Sequence, residues 1–396
     1  MVGSVIFLVM LIKSGLDRTS VPSLVGFLIL GFFIRLADDY LGFFTIGCEE
    51  IFGFLAQIGL FTLLFRVGLE SNLRGLLGQL RRASVIWIAN VIITGLIGFA
   101  TAFYMLHYHW VASLVIATAF TATSVGISVA VWEESGMLNT PRGELLVDVA
   151  EMDDISAVVL MAMLFAVLPS LKSGSPPDWL PMISSVLGLF LIKLIGFGTL
   201  CFLFSRYAEK GLTHFFRNLE PPPDPMLVVV AIGLMIAALA DLLGFSLAIG
   251  AFFAGLVFSR DPDSVKMESS FLPLYELLSP FFFIGIGLAL DPAVMDTALG
   301  MGGILLVMAI LSKLIANGVP MFLMGGIAGA LLIGTSMVPR AEIAMVIMHK
   351  GLSLGEWAVP SHAYAAMVVV SAATCILSPP VVRSLLNSRF LDGEAR

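Results

Sequence analysis

Apolar runs separated by short polar stretches make up almost the whole chain. Runs of about 17 to 25 residues are long enough to cross a membrane as helices, and they give about thirteen predicted spans. The spans are 2–13, 20–36, 51–69, 83–106, 111–132, 141–168, 181–205, 225–242, 245–260, 271–290, 300–320, 325–350 and 360–385. Because helices satisfy their own backbone hydrogen bonds in lipid, the pattern predicts an all-α polytopic membrane protein, with one transmembrane domain over 1–396 and no soluble regulatory domain.

The composition agrees with this fold class. The chain is 59% hydrophobic and 12% charged, whereas soluble domains carry roughly 25% charged residues. The first dozen residues lack a basic leader and a small-residue cleavage site, so we expect a first span rather than a signal peptide. A net charge of −7 disfavours nucleic acid as a partner, and membrane lipid is the expected surrounding. The three cysteines lie in separate segments, which indicates neither a disulfide framework nor a metal site.

Lysine and arginine are distributed unevenly between the predicted loops. Fourteen lie after odd-numbered spans or in the C-terminal tail, against three, Arg35, Lys172 and Lys350, in the other loops. The fourteen are Lys13, Arg18, Arg74, Arg81, Arg82, Arg142, Arg206, Lys210, Arg217, Arg260, Lys266, Arg383, Arg389 and Arg396. Since basic loops stay in the cytoplasm, we expect the N-terminus outside and the C-terminus in the cytoplasm.

Two spans contain small, hydroxyl-bearing and helix-breaking residues inside an apolar run. They are FTATSVGIS at 120–128 and GTSMVPRAE at 334–342. Backbone released from a helix in lipid must be satisfied by protein or by a water-lined cavity, so paired interrupted helices indicate a substrate site at the midplane. For 120–128 alone, ordinary small-residue helix packing is the alternative.

The two interrupted spans are seven apart in the order of spans, and an odd offset reverses direction through the membrane. We therefore predict that 1–168 and 225–386 are inverted-topology repeats, with 181–205 as the connecting helix.

Two adjacent carboxylates, Asp153 and Asp154, lie near the middle of the predicted span 141–168. Asp154 is about 20 Å from the start of the span at the helical rise. A charge at that depth is costly and usually marks an ion or proton path. A soluble core helix with a solvated acidic turn would explain the same residues, but the composition argues against it.

One face of this helix carries further carboxylates at helical spacing. The set is Glu144, Asp148, Glu151 and Asp154. The spacing predicts a cation-attracting funnel that ends at Asp154. The alternative is that the first three members are solvated charges at the level of the lipid headgroups.

Lys313 lies in the middle of the predicted span 300–320, too far from either end for its side chain to reach water. Its natural partner is a carboxylate. We expect an ion pair with Asp153, which leaves Asp154 to bind the transported ion, and we expect the pair to act as a second proton switch.

The residues around the two breaks are the remaining candidates. Thr123 and Ser124 add hydroxyl oxygens to Asp154, a ligand set that suits a monovalent cation, whereas a transition metal would favour His or Cys. The histidines lie at span ends or in loops, so we expect no metal other than the transported cation and no cofactor. Arg340 and Glu342 are predicted to form an ion pair that supports the second break, with ligation of the ion by Glu342 as the alternative.

Several stretches together resemble a known family. They are VPSLVGFLILG, LFTLLFRVGLE, TATSVGIS with the aspartate pair, LGFSLAIGAFFAGLVFSR, PFFFIGIGLALDP, VPRAEIAMVI and SPPVVRSLL. The chain resembles bacterial monovalent cation/proton antiporters of the sodium/proton exchanger fold, in the branch that includes the potassium efflux antiporters. The resemblance implies a homodimer in the inner membrane, with a dimerisation domain and a mobile core domain that contains crossed helices 5 and 12. It also implies elevator-like alternating access, with Asp154 binding either cation or proton and Asp153 paired with Lys313.

Two features depart from the family pattern. Glu151 and Arg66 stand where members usually carry apolar residues. Potassium efflux members commonly have Gln-Asp in place of the aspartate pair and an attached cytoplasmic nucleotide-binding domain, and this sequence shows neither. The pair with its lysine therefore favours the sodium-type arrangement, and any regulatory domain is expected on a separate cytoplasmic subunit.

The leading hypothesis is a transporter and not an enzyme, one that exchanges Na⁺, or alternatively K⁺ or Li⁺, for H⁺ at Asp154. Transport of another solute on the same fold, a passive cation channel and an intramembrane aspartyl protease are the alternatives. A protease needs two carboxylates that converge on one water, whereas neighbours on a helix point about 100° apart. The buried lysine and the titratable pair argue against a channel.

Overall fold

The structure is a computed structural model that describes residues 2–16, 19, 21–42, 45–70, 73–138, 140–173, 179–208, 211–212, 218, 224–259 and 264–387. Every regular element within these ranges is helical. The helices are α1 (Val2–Leu16), α2 (Ser23–Leu41), α3 (Ile46–Glu70), α4 (Leu73–Ala100), α5 (Trp110–Thr121), α6 (Val125–Glu134), α7 (Pro141–Ser173), α8 (Trp179–Leu203), α9 (Pro225–Leu242), α10 (Leu247–Phe258), α11 (Ser264–Leu288), α12 (Met295–Ser336), α13 (Glu342–Ser353) and α14 (Ser361–Leu386). Short π-helical turns, Thr101–Met105 and Phe204–Ala208, extend α4 and α8.

The predicted all-α membrane fold is confirmed. Each predicted span corresponds to a helix or to two consecutive helical segments. Among the described residues, eight helical runs are long and apolar enough to cross a membrane, and shorter apolar helices account for the predicted spans 2–13, 225–242 and 245–260.

The helical run of α12 continues past the predicted end of its span and is interrupted at Gly325 and Gly326. Gly326 has a φ of 72° and a ψ of −174°, a backbone conformation that essentially only glycine adopts.

The chain forms two compact units that interleave along the sequence. The first contains Met1–Phe43, Arg74–Ala157 and Phe283–Arg396, and the second contains Phe44–Leu73 and Val158–Phe282. In the first unit, α12 packs along α14 and α5 packs against α13; in the second, α10 packs against both α3 and α9. Both predicted repeats contribute residues to both units, and the division into inverted repeats stays a prediction.

Part of the loop sequence lies outside the described residues. This applies to most of the polar stretch between 206 and 225, to the tail after Asn387 and to several of the cations used for orientation. The predicted orientation of the termini therefore stays a prediction.

Gly68 in α3 and Gly255 in α10 let these two helices approach closely. A Cβ atom added at Gly68 would lie 2.1 Å from the carbonyl oxygen of Phe252, and one added at Gly255 would lie 2.0 Å from that of Phe65. Small residues at a helix contact are a common basis of helix association in lipid, because they allow backbones to pack together. Each glycine here is thus required by the backbone of the opposite helix.

We expect Gly68→Ala to lower the thermal stability of the purified protein, because overpacking costs about 1–3 kcal/mol. Gly53→Ala in the same helix is the matched control, since a Cβ atom added there meets nothing within 4 Å. Thermal unfolding in detergent provides the comparison. Equal melting temperatures for the two variants would contradict the close contact of α3 and α10.

Candidate ion-binding site

The two predicted breaks are present, and they contact each other. The first helix of the pair, α5, ends at Thr121, and α6 begins at Val125 after an extended segment. The Ser124 backbone N–H donates a hydrogen bond to the Pro339 carbonyl oxygen in the second break, at 2.8 Å. The alternative of a continuous helix with small-residue packing over 120–128 is therefore wrong, and the two interrupted helices meet at their breaks.

Side chains on α6 and α12 hold the breaks in this arrangement. The Ser128 hydroxyl donates to the Ser336 carbonyl oxygen at 2.7 Å, and the Trp132 indole N–H donates to the Ser336 hydroxyl at 2.9 Å. All three residues are fully buried. These bonds satisfy polar groups at the end of α12, where helical hydrogen bonding stops.

The second break is satisfied mainly by α14. The Arg340 backbone N–H donates to the Thr374 hydroxyl at 3.2 Å, and the Arg340 carbonyl oxygen accepts from the Ser371 hydroxyl at 2.6 Å. The Cys375 thiol donates to the same carbonyl at 3.4 Å. Protein groups thus replace the helical hydrogen bonds that this backbone lacks, as a non-helical segment at membrane depth requires.

Lys313 reaches the first break from α12, and its side chain is fully buried. Its ammonium group donates to the Thr121 carbonyl oxygen at 2.7 Å, to the Thr123 hydroxyl at 2.5 Å and to the Asn90 side-chain oxygen at 2.9 Å. An ammonium group has three N–H donors, so neutral oxygens use all of them.

Asp153 lies beside this ammonium group, as expected. One of its carboxylate oxygens, Oδ2, is 3.7 Å from Lys313 Nζ, while the other accepts from the Asn90 side-chain N–H₂ group at 2.6 Å. Both residues have no exposed surface. The structure therefore brings the predicted ion pair together, with an asparagine between the two charges, and its role as a proton switch stays a prediction.

The four carboxylates on the acidic face of α7 are more exposed than Asp153. Glu144 is exposed, whereas Asp148, Glu151 and Asp154 are half-buried. The adjacent carboxylates thus have different surroundings, because Asp153 is sealed inside and Asp154 keeps some accessible surface. This difference is what separate roles for the two aspartates require.

The predicted ion pair between Arg340 and Glu342 is wrong. The fully buried guanidinium group donates at 3.2–3.3 Å to the carbonyl oxygens of Phe120, Ala309 and Val338 and to a serine hydroxyl in α12. Its central carbon is 4.9 Å from the centre of the Phe120 ring. Arginine has a planar fork of donors, which suits carbonyl groups that converge from several segments.

Glu342 instead joins the two breaks. Its carboxylate accepts a short hydrogen bond from the Ser124 hydroxyl. Of the two hydroxyls predicted to bind the ion, that of Thr123 contacts Lys313 and that of Ser124 contacts Glu342. Both are buried at the crossing, and their role as ion ligands stays a prediction.

Comparison with known families shows to which family the chain belongs. The family described as sodium/hydrogen exchanger, transmembrane, matches residues 4–388. The chain belongs to the sodium/hydrogen exchanger family. The protein is therefore a multi-pass membrane protein and a cation/proton antiporter by class, rather than an enzyme.

Alignments with individual relatives extend over most of the length of this exchanger. It is 26% identical over 349 residues to the high-affinity Na⁺/H⁺ antiporter NhaS3 of Synechocystis, covering 86% of this chain and 72% of the relative. It is 28% identical over 377 residues to the Na⁺/H⁺-K⁺ antiporter GerN of Bacillus cereus, covering 94% and 92%. The sodium proton antiporter MjNhaP1 from Methanocaldococcus jannaschii has a similar fold, with a TM-score of 0.69, 17% identity and 98% of both chains covered.

The sequence did not single out two further residues of this buried cluster, Asn90 and Asn317. The Asn317 side-chain N–H₂ group donates to the Asn90 side-chain oxygen at 3.2 Å and to the Lys313 carbonyl oxygen at 3.0 Å. Both asparagines are fully buried. A signal was present, because each is an amide inside an apolar run and Asn317 is four residues after Lys313, on the same helix face.

We expect Arg340→Lys to destabilise the exchanger, because one ammonium group cannot reach all of these carbonyl oxygens and each unsatisfied buried group costs about 1–3 kcal/mol. Glu342→Gln should have a smaller effect, since the amide still accepts from Ser124. Melting temperatures of the detergent-purified variants test this. A decrease in melting temperature for Glu342→Gln as large as that for Arg340→Lys would support the predicted ion pair between Arg340 and Glu342.

Proposed function

We propose that this exchanger moves a monovalent cation, with Na⁺ favoured, in exchange for H⁺, and that the two ions compete at Asp154. The observation that carries the proposal is the fully buried Lys313 and Asp153 at the first break, next in sequence to the half-buried Asp154. The family membership of the chain supports the same class of reaction.

We assign binding to Asp154 rather than to Asp153 because the two carboxylates differ in exposure. Asp153 accepts from Asn90 and lies close to Lys313, and it has no exposed surface. Asp154 is accessible, so it can receive an ion that enters along the carboxylates of α7. This side chain would then hold either a proton or a cation.

Competition at one carboxylate explains obligatory exchange. A bare carboxylate at the membrane centre is costly, whereas a protonated or cation-bound one is neutral. Only an occupied site would then move cheaply across the barrier. Since proton and cation neutralise the same group, one must leave before the other binds.

The ligand types favour a hard monovalent cation. Carboxylate oxygens of Asp153 and Glu342 lie near hydroxyl and carbonyl oxygens of the first break, which Lys313 and Glu342 contact. Oxygens of these types suit Na⁺ or K⁺. The aspartate pair with a buried lysine favours Na⁺. Relatives are named for both ions: GerN for Na⁺ and K⁺, and the putative KefB of Alkalimonas amylolytica for K⁺, although the chain covers 42% of that longer protein.

The resemblance extends the proposal to the cycle and the setting. We infer elevator-like alternating access in a homodimer, placed in the inner membrane with the C-terminus in the cytoplasm and regulated, if at all, by a separate cytoplasmic subunit. The two crossed breaks support a rigid core, because the segments around them are bonded to each other.

We expect Asp154→Asn to reduce cation-dependent proton exchange to background, because the amide cannot take up a proton or balance the charge of a cation. The measurement uses proteoliposomes with an internal pH dye, an acid interior and added Na⁺, K⁺ or Li⁺. Asp39→Asn is the control, since Asp39 is an exposed carboxylate paired with Arg35 one helical turn away. Exchange near the parent rate in Asp154→Asn would defeat the assignment.

A further inference from the structure

Asn90 occupies an unusual position for an uncharged residue in an apolar helix. It is fully buried in α4, and its side chain contacts a carboxylate, an ammonium group and a second amide. The N–H₂ group donates to Asp153 at 2.6 Å, and the oxygen accepts from Lys313 at 2.9 Å and from Asn317 at 3.2 Å. One amide thus joins α4 to α7 and to two residues of α12.

The amide takes the place of a direct hydrogen bond between the two charges. A charge-assisted hydrogen bond between ammonium and carboxylate is about 2.7–2.9 Å long, but Lys313 Nζ and Asp153 Oδ2 are 3.7 Å apart. Asp153 Oδ2 accepts no hydrogen bond from any group in the described part of the chain. An amide can donate to an anion and accept from a cation at the same time. By bonding both groups, Asn90 keeps the Asp153 carboxylate and the Lys313 ammonium group close together without a direct hydrogen bond between them.

The position of Lys313 depends on this separation. Its other two donors go to the Thr121 carbonyl and the Thr123 hydroxyl of the first break. If the ammonium group moved to bond Asp153 directly, it would withdraw from the oxygens of the break. The amide therefore fixes which oxygens around the break are covered by the lysine.

We propose that Asn90 is a positioning residue of the transport site, one that sets the relative positions of Asp153 and Lys313 by bonding both. The inference rests on the proposed cation/proton exchange. Asn90 does not touch the transported ion in this scheme; it acts through the pair and, by way of Lys313, on the first break.

The test exchanges the two functional groups. Asn90→Asp and Asp153→Asn each change the charge of the network by one, and we expect each to lower Na⁺-dependent proton exchange at low Na⁺ by at least about tenfold. The double variant Asn90→Asp/Asp153→Asn restores the charge and still provides a donor and acceptors. It is expected to recover exchange to within about threefold of the parent, a non-additive result that indicates direct coupling.

Thr94→Val is the matched control. Thr94 is fully buried on the same helix, one turn from Asn90, and its hydroxyl donates to the Asn90 backbone carbonyl oxygen at 2.5 Å. We expect exchange close to the parent rate. Melting temperatures of all variants are measured alongside, because a purely structural role would be visible there and would give no charge-specific rescue.

The outcomes separate this inference from the proposed function. If the parent shows no cation-dependent proton flux, the proposed function fails before the variants are compared. If the parent exchanges ions but the double variant is as impaired as the product of the single variants, the positioning role is overturned. Full activity of Asn90→Asp alone would overturn it as well.

Discussion

The complete burial of the Lys313 ammonium group is the constraint on which the rest of the site depends. An ammonium group without water must have its donors satisfied, and an unpaired buried charge is very costly. The ammonium group donates to the carbonyl oxygen of Thr121, the residue at which α5 ends. The break thus interrupts the helical hydrogen bonding and also provides hydrogen-bond acceptors for the lysine. Asp153 supplies the opposite charge nearby.

The second break follows the same logic with a different cation. Arg340 is fully buried and lies within the break itself, and its guanidinium group donates to carbonyl oxygens from α5, α12 and the break. Two buried cations therefore satisfy much of the backbone that the interrupted helices release, and the Ser124 contacts to Pro339 and Glu342 tie the breaks together. A site stabilised in this way can stay rigid, and under the proposed function Asp154 would gain and lose ions beside it.

The fold and most residues of the site could be predicted from the sequence, whereas the hydrogen-bond and ion-pair partners of those residues were predicted less well. Hydrophobic run length predicted helical segments where the structure has them, because lipid admits few alternatives to a helix. The depth of Lys313 within its run indicated a carboxylate partner. The predicted pairing of Arg340 with Glu342 was wrong because closeness in sequence does not fix where a side chain points. The guanidinium group instead donates to carbonyl oxygens of Phe120, Ala309 and Val338, which no side-chain pattern in the sequence reveals. Asn90 was missed although an amide inside an apolar run is a recognisable signal, because the sequence does not show that α4, α7 and α12 bring it against Asp153 and Lys313.

Competition between proton and cation at Asp154 is the central claim, and its most direct test is the apparent KM for Na⁺ measured across a range of pH in proteoliposomes. If one proton and one cation exclude each other at a single carboxylate, the apparent KM for Na⁺ rises by about tenfold for each unit of pH decrease in the pH range where that carboxylate is mostly protonated. The maximal rate stays constant. An apparent KM that is independent of pH, with a maximal rate that falls as protons are added, would show that the two ions bind at different places and would contradict the account.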